Sequence, residues 1–410
     1  METVELDTAN WLLTADATRL CRDVSNELAA GTSALKLAEQ LARNTTFSPA
    51  RRSAVLQLVH VRHKATKRYA HASEMFFTKD ALEQLSDPQV AQWRATDLLR
   101  RFHAATDDQP QRIVDLCAGV GGDAEYLGRL GVPLTCVEID PVRAVFLRHN
   151  LSVLGTDATI SVGDARSVAT GSTDAVFADP SRRHNGQRIL SLGAYKPPVP
   201  VLLERHSQAT VVAIAVAPGV DSDDAALPPN TEVTYLDVAG QLTEAVLWGG
   251  AARSDSNACA TAVLLPEQLT LARTTVLSHA PVNRAIDGWL ITMRPAAIRA
   301  RVHDQLAAQI QGQRLAEHRA VFFTLNRPLP SPWFHARRIA AVCSAQPKQI
   351  RQSLAALAER PVEIVLHGAD LDITQLWQRL GAPQRGPTGW RIEIIRRDQD
   401  TVAVITDAKS

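Results

Sequence analysis

Val114-Asp115-Leu116-Cys117-Ala118-Gly119-Val120-Gly121-Gly122-Asp123 is the stretch that decides the fold. It begins in an apolar run, Arg112–Cys117, that reads as a strand, and it leads into Asp123–Leu130, which reads as a helix. The glycines at 119, 121 and 122 let backbone pass close to a ligand, and the loop ends on a helix N-terminus. Dinucleotide-binding folds share such a turn, so alone it is weak evidence. Its surroundings say more. Asp115 lies on the strand before the glycines, where a carboxylate can meet a cationic ligand. The next strand ends at Glu138, 19 residues after Gly119, where an acid can accept hydrogen bonds from ribose hydroxyls. A third strand runs into Gly163-Asp164-Ala165. A nicotinamide-dinucleotide site accounts for Glu138 but leaves Asp115 and Asp164 without a role.

Outward from this stretch, strand and helix alternate. Strands are expected at Arg112–Cys117, Pro133–Ile139, Thr159–Val162, Asp174–Ala178 and Thr210–Val216, with helices at Asp123–Leu130 and Pro141–Leu154 between the early ones. This alternation predicts a doubly wound α/β fold with a parallel sheet. After Pro218-Gly219 the pattern becomes strand after strand, as for an antiparallel edge. Residues 1–105 read as a helical region: Leu28–Leu41 and Ala54–Val61 show helical spacing, and Asp87-Pro88 is an N-cap followed by proline at the first helical position. The sheet domain is expected over 106–284. A separate α+β domain is expected over 285–410, with helices at Ala296–Gln309, Pro347–Ala358 and Asp372–Leu380.

The 410 residues carry 44 Lys/Arg against 43 Asp/Glu, are 45% hydrophobic and 21% charged, and so exclude a disordered tail, a collagen-like fibre and a histone-like polycation. Two tracts depart from that neutral balance. Arg51–Arg68 holds six cations and no acid, and 292–351 holds ten cations and two acids, with Trp333, Phe334 and His335 beside Arg337-Arg338. These tracts read either as phosphate-directed RNA contacts or as helix surfaces paired with acids elsewhere. Arginines number 37 against seven lysines, which either codon bias or recognition of phosphate and carboxylate explains. The five scattered cysteines form no C-x-x-C pair, so no metal site is expected. No apolar run approaches a membrane span and the start lacks a basic signal region, so the expectation is a cytoplasmic protein without a membrane partner.

The successive motifs D-L-C-A-G-V-G-G-D, V-E-I-D-P, G-D-A-R and D-A-V-F-A-D-P-S-R-R resemble those of class I S-adenosylmethionine-dependent methyltransferases. M-F-F-T-K-D-A-L-E-Q-L, T-E-A-V-L-W and the organisation of the C-terminal part are similar to bacterial members that end in a THUMP-like domain. The resemblance implies a Rossmann-like, seven-stranded core with S-adenosylmethionine as cofactor. It implies that Asp115, Gly119 and Gly121 hold the methionine moiety, Glu138 the ribose, Ile139 the adenine ring and Asp164 the adenine amino group, with Ala165 as a further cofactor contact. Asp179-Pro180 would face the transferring methyl, and Phe77-Thr78 would close over the methionine end.

Asp179-Pro180-Ser181-Arg182-Arg183 bears on the acceptor. Enzymes that methylate exocyclic amines resemble one another in D/N-P-P-aromatic. This chain keeps Asp179-Pro180, has Ser181 for the second proline and has Arg182 where the aromatic would stack a base. The reading is an RNA methyltransferase acting on a base amine, with guanine N2 as one candidate. Asp179, Pro180 and Arg182 are its catalytic candidates, and Arg182, Arg183, Arg337 and Arg338 its substrate contacts. A pseudo-methyltransferase that binds RNA without turnover, and a methyltransferase for a protein or small molecule, are the alternatives.

Overall fold

The computed structural model describes residues 4–184, 187–188, 191–224, 226–229, 231–251, 259–273, 280–283, 285–315, 320–357, 361–381, 389–398 and 400–408. The chain divides into two compact units. The first comprises Met1–Val238, Thr243–Cys259 and Leu265–Gln268; the second comprises Ala239–Leu242, Ala260–Leu264 and Leu269–Ser410. No helix among the described residues is long and apolar enough to cross a membrane.

The first unit begins with helices α1 (Leu6–Leu12), α2 (Ala15–Ala29), α3 (Ala34–Ala42), α4 (Pro49–Ala65), α5 (Lys79–Gln84) and α6 (Pro88–Thr106). The helical spacing over Leu28–Leu41 spans two helices, because the chain turns between α2 and α3 at Gly31, whose φ of 89° suits glycine. Ser33 then caps α3 by accepting from the Lys36 amide at 3.4 Å. Asp87 caps α6 as the sequence suggests, accepting from the Gln89 amide at 3.0 Å.

The sheet portion follows as β1 (Arg112–Leu116), α7 (Ala124–Gly128), β2 (Leu134–Glu138), α8 (Pro141–Val153), β3 (Thr159–Val162), β4 (Asp174–Ala178), the short hairpin β5 (Arg183–His184) and β6 (Gln187–Arg188), α9 (Val199–Arg205), β7 (Val211–Val216), β8 (Glu232–Val238) and β9 (Gln241–Gly249). Strand order in this part is β8-β9-β7-β4-β1-β2-β3. β2, β1, β4 and β7 are mutually parallel, β3 joins β2 in parallel, and β9 runs antiparallel to β7. β4 and β7 are buried at every residue, which explains their unbroken apolar runs: a parallel strand covered on both faces has no polar side to show. The carboxyl ends of β1, β2 and β4 carry Asp115, Glu138 and, just beyond, Asp179 to one edge.

The helical region, expected as a separate part, belongs to the same compact unit as the sheet. Helix α6 packs on β4, β7 and β8, and α1 packs on α8. Val120 of the glycine loop and Phe146 of α8 share one apolar core with buried residues of α1 to α5. Asn150 is the polar tie. Fully buried, it accepts from the Phe76 amide at 2.7 Å and donates to the Phe76 and Val120 carbonyls, both at 2.9 Å.

The second unit contains the hairpin β10 (Ala260–Leu265) and β11 (Leu269–Ala272), then β12 (Trp289–Met293), α10 (Pro295–Arg299), α11 (His303–Gln309), β13 (Gln313–Arg314), β14 (Val321–Thr324), β15 (Phe334–Ser344), α12 (Pro347–Ala356), β16 (Pro361–His367), α13 (Ile373–Leu380), β17 (Trp390–Arg396) and β18 (Thr401–Asp407). Seven of these strands form a sheet ordered β13-β14-β12-β15-β18-β17-β16. The single helix expected at Ala296–Gln309 is two, parted at Arg301, whose backbone turns left-handed at φ 56°. The long strand β15 carries no strand expectation although Ile339–Cys343 is an apolar run; its exposure alternates irregularly, with no continuously buried stretch.

Because three backbone groups depend on Asn150, Asn150→Leu should destabilise the first unit by about 3 kcal/mol, at roughly 1 kcal/mol or more per buried group left unpaired. Urea unfolding measures this; a change near zero would mean that the tie contributes nothing.

Candidate functional site

The carboxyl ends of β1, β2 and β4 open onto a cleft that is open to solvent. Such a position, beyond the strand ends of a parallel sheet, is where α/β folds place ligands. Asp115, Gly119, Glu138, Ile139, Ala165 and Asp179 all line it. The N-terminal region supplies part of the wall through Ala81, Gln84, Leu85 and Ser86.

The glycine loop is shaped by left-handed backbone. Cys117, Gly119 and Gly121 have φ of 64°, 59° and 99°. Gly121 is further constrained, because a Cβ there would sit 2.9 Å from Leu147 Cδ1. Glu138 locks the loop from below. Its Oε2 accepts from the Gly119 amide at 2.7 Å and its Oε1 from the Asp140 amide at 2.9 Å. A carboxylate offers about four acceptor positions, so Glu138 keeps capacity for ligand hydroxyls. Burial pushes its carboxyl up, against the two amide hydrogen bonds that pull it down. Ile139, 67% exposed, presents an apolar surface beside it.

Asp115 is the unsatisfied group of the site. It is buried, and its Oδ2 has no hydrogen-bond partner. Burial first, then the nearby Asp123 and Asp179, push its carboxyl well above the usual range, with Arg94 opposing. An orphaned acceptor at the loop fits a ligand that brings a cationic N–H donor.

Asp164 stands differently. Its side chain is bound by its neighbour Arg166, with Nη2 at 2.5 Å from Oδ2, and that contact holds the carboxyl below the usual range. The cleft wall at this strand end is made by Gly163 and Ala165. Phe77, expected over the methionine end, is buried in the helical core, and Thr78 caps α5 by accepting from the Ala81 amide at 3.1 Å.

Asp179 lies half-buried at the cleft, followed by buried Pro180. Burial and then Glu244 raise its carboxyl to about 7, while Arg94 and Arg182 pull the other way and Asp123 adds to the rise. Ser181 pairs with Lys196 through two backbone bonds of 3.0 Å, so the segment after the motif is held as a short ladder. Arg182 is half-buried. Arg183 opens the β5–β6 hairpin, and its side chain lies outside the described residues.

Sequence reasoning gave no role to the buried cation of this site. Arg94 of α6, 2% exposed, donates to Asp123, to Glu244 of β9 and, at 2.6 Å, to Ser86 Oγ. Its guanidinium also lies 4.9 Å from the ring centre of Phe177. A signal was available: residue 94 falls in helical phase with buried Val90, Ala91, Ala95, Leu98 and Phe102, and an arginine on an apolar face requires buried carboxylates.

Several arginines of the basic tracts are engaged by the fold. In α4, Arg52 donates to the Ala42 and Asn44 carbonyls, Arg62 to those of Met75 and Glu74, and Arg51 lies over Trp11. Arg68 reaches Asp87. In the second unit, Arg314 is paired with buried Asp304. Arg337 and Arg338 do not act together: Arg337 is buried at 7% exposure while Arg338 is exposed, because neighbours on a strand point to opposite faces. Arg337 is therefore corrected from a surface contact to an interior group of that unit. Exposed charge collects instead where Lys348, Arg351 and Arg379 border a surface hollow with Gln346 and Gln378.

No family model matches the chain. Proteins from two strains of Mycobacterium tuberculosis, CDC 1551 and H37Rv, each described as an uncharacterized S-adenosylmethionine-dependent methyltransferase, are 29% identical to it over 311 residues, 75% of this chain and 81% of theirs. A crystal structure from Porphyromonas gingivalis W83, named provisionally as a methyltransferase, shares the fold with a TM-score of 0.75 at 15% identity, over 96% of this chain and 99% of that one.

The raised Asp179 carboxyl gives a signed expectation. A buried acid whose folded pKa exceeds its unfolded value binds the proton more tightly when folded, so its ionisation costs stability as pH rises from about 4 to about 7. Asp179→Asn should therefore raise the melting temperature at pH 8 and leave it nearly unchanged at pH 4. Equal shifts at both pH values in a thermal scan would contradict the assignment.

Proposed function

We propose that the chain transfers the methyl group of S-adenosylmethionine to an amine nitrogen, with a base of RNA as the acceptor and guanine N2 as the specific candidate. The protein is an S-adenosylmethionine-dependent methyltransferase. The observation that carries the reading is the convergence of Asp115, Glu138 and Asp179 at one sheet edge around a left-handed glycine loop.

When bound, the cofactor supplies a methyl group already activated on a sulfonium. Asp115, with its orphaned Oδ2, and the loop at Gly119 and Gly121 hold the amino-acid end. Glu138 binds the ribose hydroxyls and Ile139 packs against the adenine. Ala165 borders the adenine edge; Asp164 reaches the adenine amine only by giving up part of its contact with Arg166. Asp179 and the Pro180 region orient the acceptor amine, and Asp179, raised to about 7, takes up the proton that the amine releases. Positioning of a nucleophile in line with an activated methyl is the larger part of the rate. Arg182 stands in place of a stacking aromatic and offers a planar cation to a base or phosphate.

RNA rests on the amine-type Asp179-Pro180 and on the cations Lys348, Arg351, Arg379 and Arg338 of the second unit, read as THUMP-like. Arg51–Arg68 adds little, since most of its arginines serve the fold. That observation favours a protein or small-molecule acceptor as the second reading. Total RNA from a deletion strain, incubated with the protein and labelled cofactor and then resolved into nucleosides by mass spectrometry, separates the two. Label in N2-methylguanosine, lost in Asp179→Ala, is expected; label that survives RNase and stays with protein would overturn the RNA acceptor. Glu138→Ala should weaken cofactor binding at least about tenfold by calorimetry, the loss of one or two good hydrogen bonds. Unchanged affinity would contradict the cofactor placement.

A further inference from the structure

We propose that Arg94, supplied by helix α6, is the positioning residue of the site: it fixes Asp123 beside the glycine loop and Glu244 on β9, and it is the counter-charge that lets Asp179 ionise. The proposal deepens the reading of Asp179 given above and rests on it.

The geometry carries it first. Arg94 is 2% exposed and reaches three elements besides its own: the Ser86 turn, the acid that precedes α7, and β9. Ser86 Oγ closes the arrangement by donating to Asp123 Oδ2 at 3.2 Å. Arg94 also lies over the ring of Phe177, two residues before Asp179 on the same strand run, so the guanidinium packs behind a residue that lines the cleft.

Charge makes the same point. The groups facing Asp179 include Glu244 from β9, Asp123 from the start of α7, Arg94 from α6 and Arg182 from its own loop, and Asp179 in turn faces Asp115 of β1 and the thiol of Cys117 just beyond it. Four carboxyls therefore crowd one buried guanidinium. In a low-dielectric site this many acids cannot all ionise without a cation among them. Arg94 is held protonated by Asp123, Glu244 and Asp179, against the cost of its burial. Lysine keeps the charge but cannot serve two carboxylates and a hydroxyl with one planar fork.

A residue that merely joins α6 to the sheet would give a different result. Arg101 is the control: it lies on the same helix, grips Glu232 with two bonds of 2.8 Å and stacks on Trp248, away from the cleft lining. The experiment follows the Asp179 side-chain carboxyl by carbon-13 NMR across pH in the full chain, assigned with Asp179→Asn, alongside calorimetric binding of S-adenosylmethionine. In Arg94→Met the Asp179 midpoint should rise by a factor of about ten or more in proton affinity; in Glu244→Gln it should fall; in Arg101→Met it should stay. Arg94→Lys should lie between Arg94→Met and the unaltered protein. Opposite shifts from the two ends of one ion pair do not arise from loosening. If Arg94→Met does not fold, Glu244→Gln and Arg94→Lys decide the matter. An Asp179 midpoint that moves the same way in Glu244→Gln and Arg94→Lys, or in neither, overturns the proposal. Failure of the unaltered protein to bind the cofactor would instead overturn the functional reading, and the carboxyl titration would still decide the role of Arg94 independently.

Discussion

One buried guanidinium holds the first unit in register. Arg94 joins helix α6 to the acid at the start of α7 and to β9. Breaking a buried ion pair by removing one partner leaves an uncompensated charge in low dielectric, which costs several kcal/mol. Here the partners are two carboxylates on different elements, so the constraint is geometric as well as electrostatic. Asn150 makes a second, neutral tie between the helical region and the glycine loop. Together they explain why the helices and the sheet form one unit and why a residue outside the sheet faces the cleft.

The cleft is poor in hydrogen-bond partners where a ligand would supply them. Asp115 Oδ2 is buried and unpaired, and Asp179 takes no side-chain hydrogen bond from the described residues. Glu138, by contrast, is tied to two amides and serves the loop's shape before it serves any ligand. A glycine loop, an anchored acid and an orphaned acid are the parts that a cationic, ribose-bearing cofactor needs. Asp164 shows the limit of the pattern: the acid is at the strand end, yet Arg166 occupies it.

Much of this was legible in the sequence. Unbroken apolar runs gave β4 and β7, and acids at the ends of β1 and β2 gave Asp115 and Glu138, because parallel strands bury both faces and aim their carboxyl ends at one edge. Asp87-Pro88 gave the start of α6. What escaped was long-range. The basic tract Arg51–Arg68 left a nucleic-acid surface and paired helix surfaces both open, and Arg52 and Arg62 reach carbonyls that are eight or more residues away. Arg337-Arg338 read as a pair, yet strand geometry separates them. Arg94 was in phase with the apolar stripe of α6, and only the fold reveals that Asp123 and Glu244 come to meet it. The split at Arg301 and the turn at Gly31 were missed because helical spacing survives a short break.

The central claim is that this cleft binds S-adenosylmethionine between the glycine loop and Glu138. A crystal structure grown with S-adenosylhomocysteine tests it most directly. The expected density has its ribose hydroxyls on Glu138, its amino group on Asp115 and its adenine against Ile139. Density elsewhere on the chain, or an ordered cleft that stays without the ligand at saturating concentration, would contradict it.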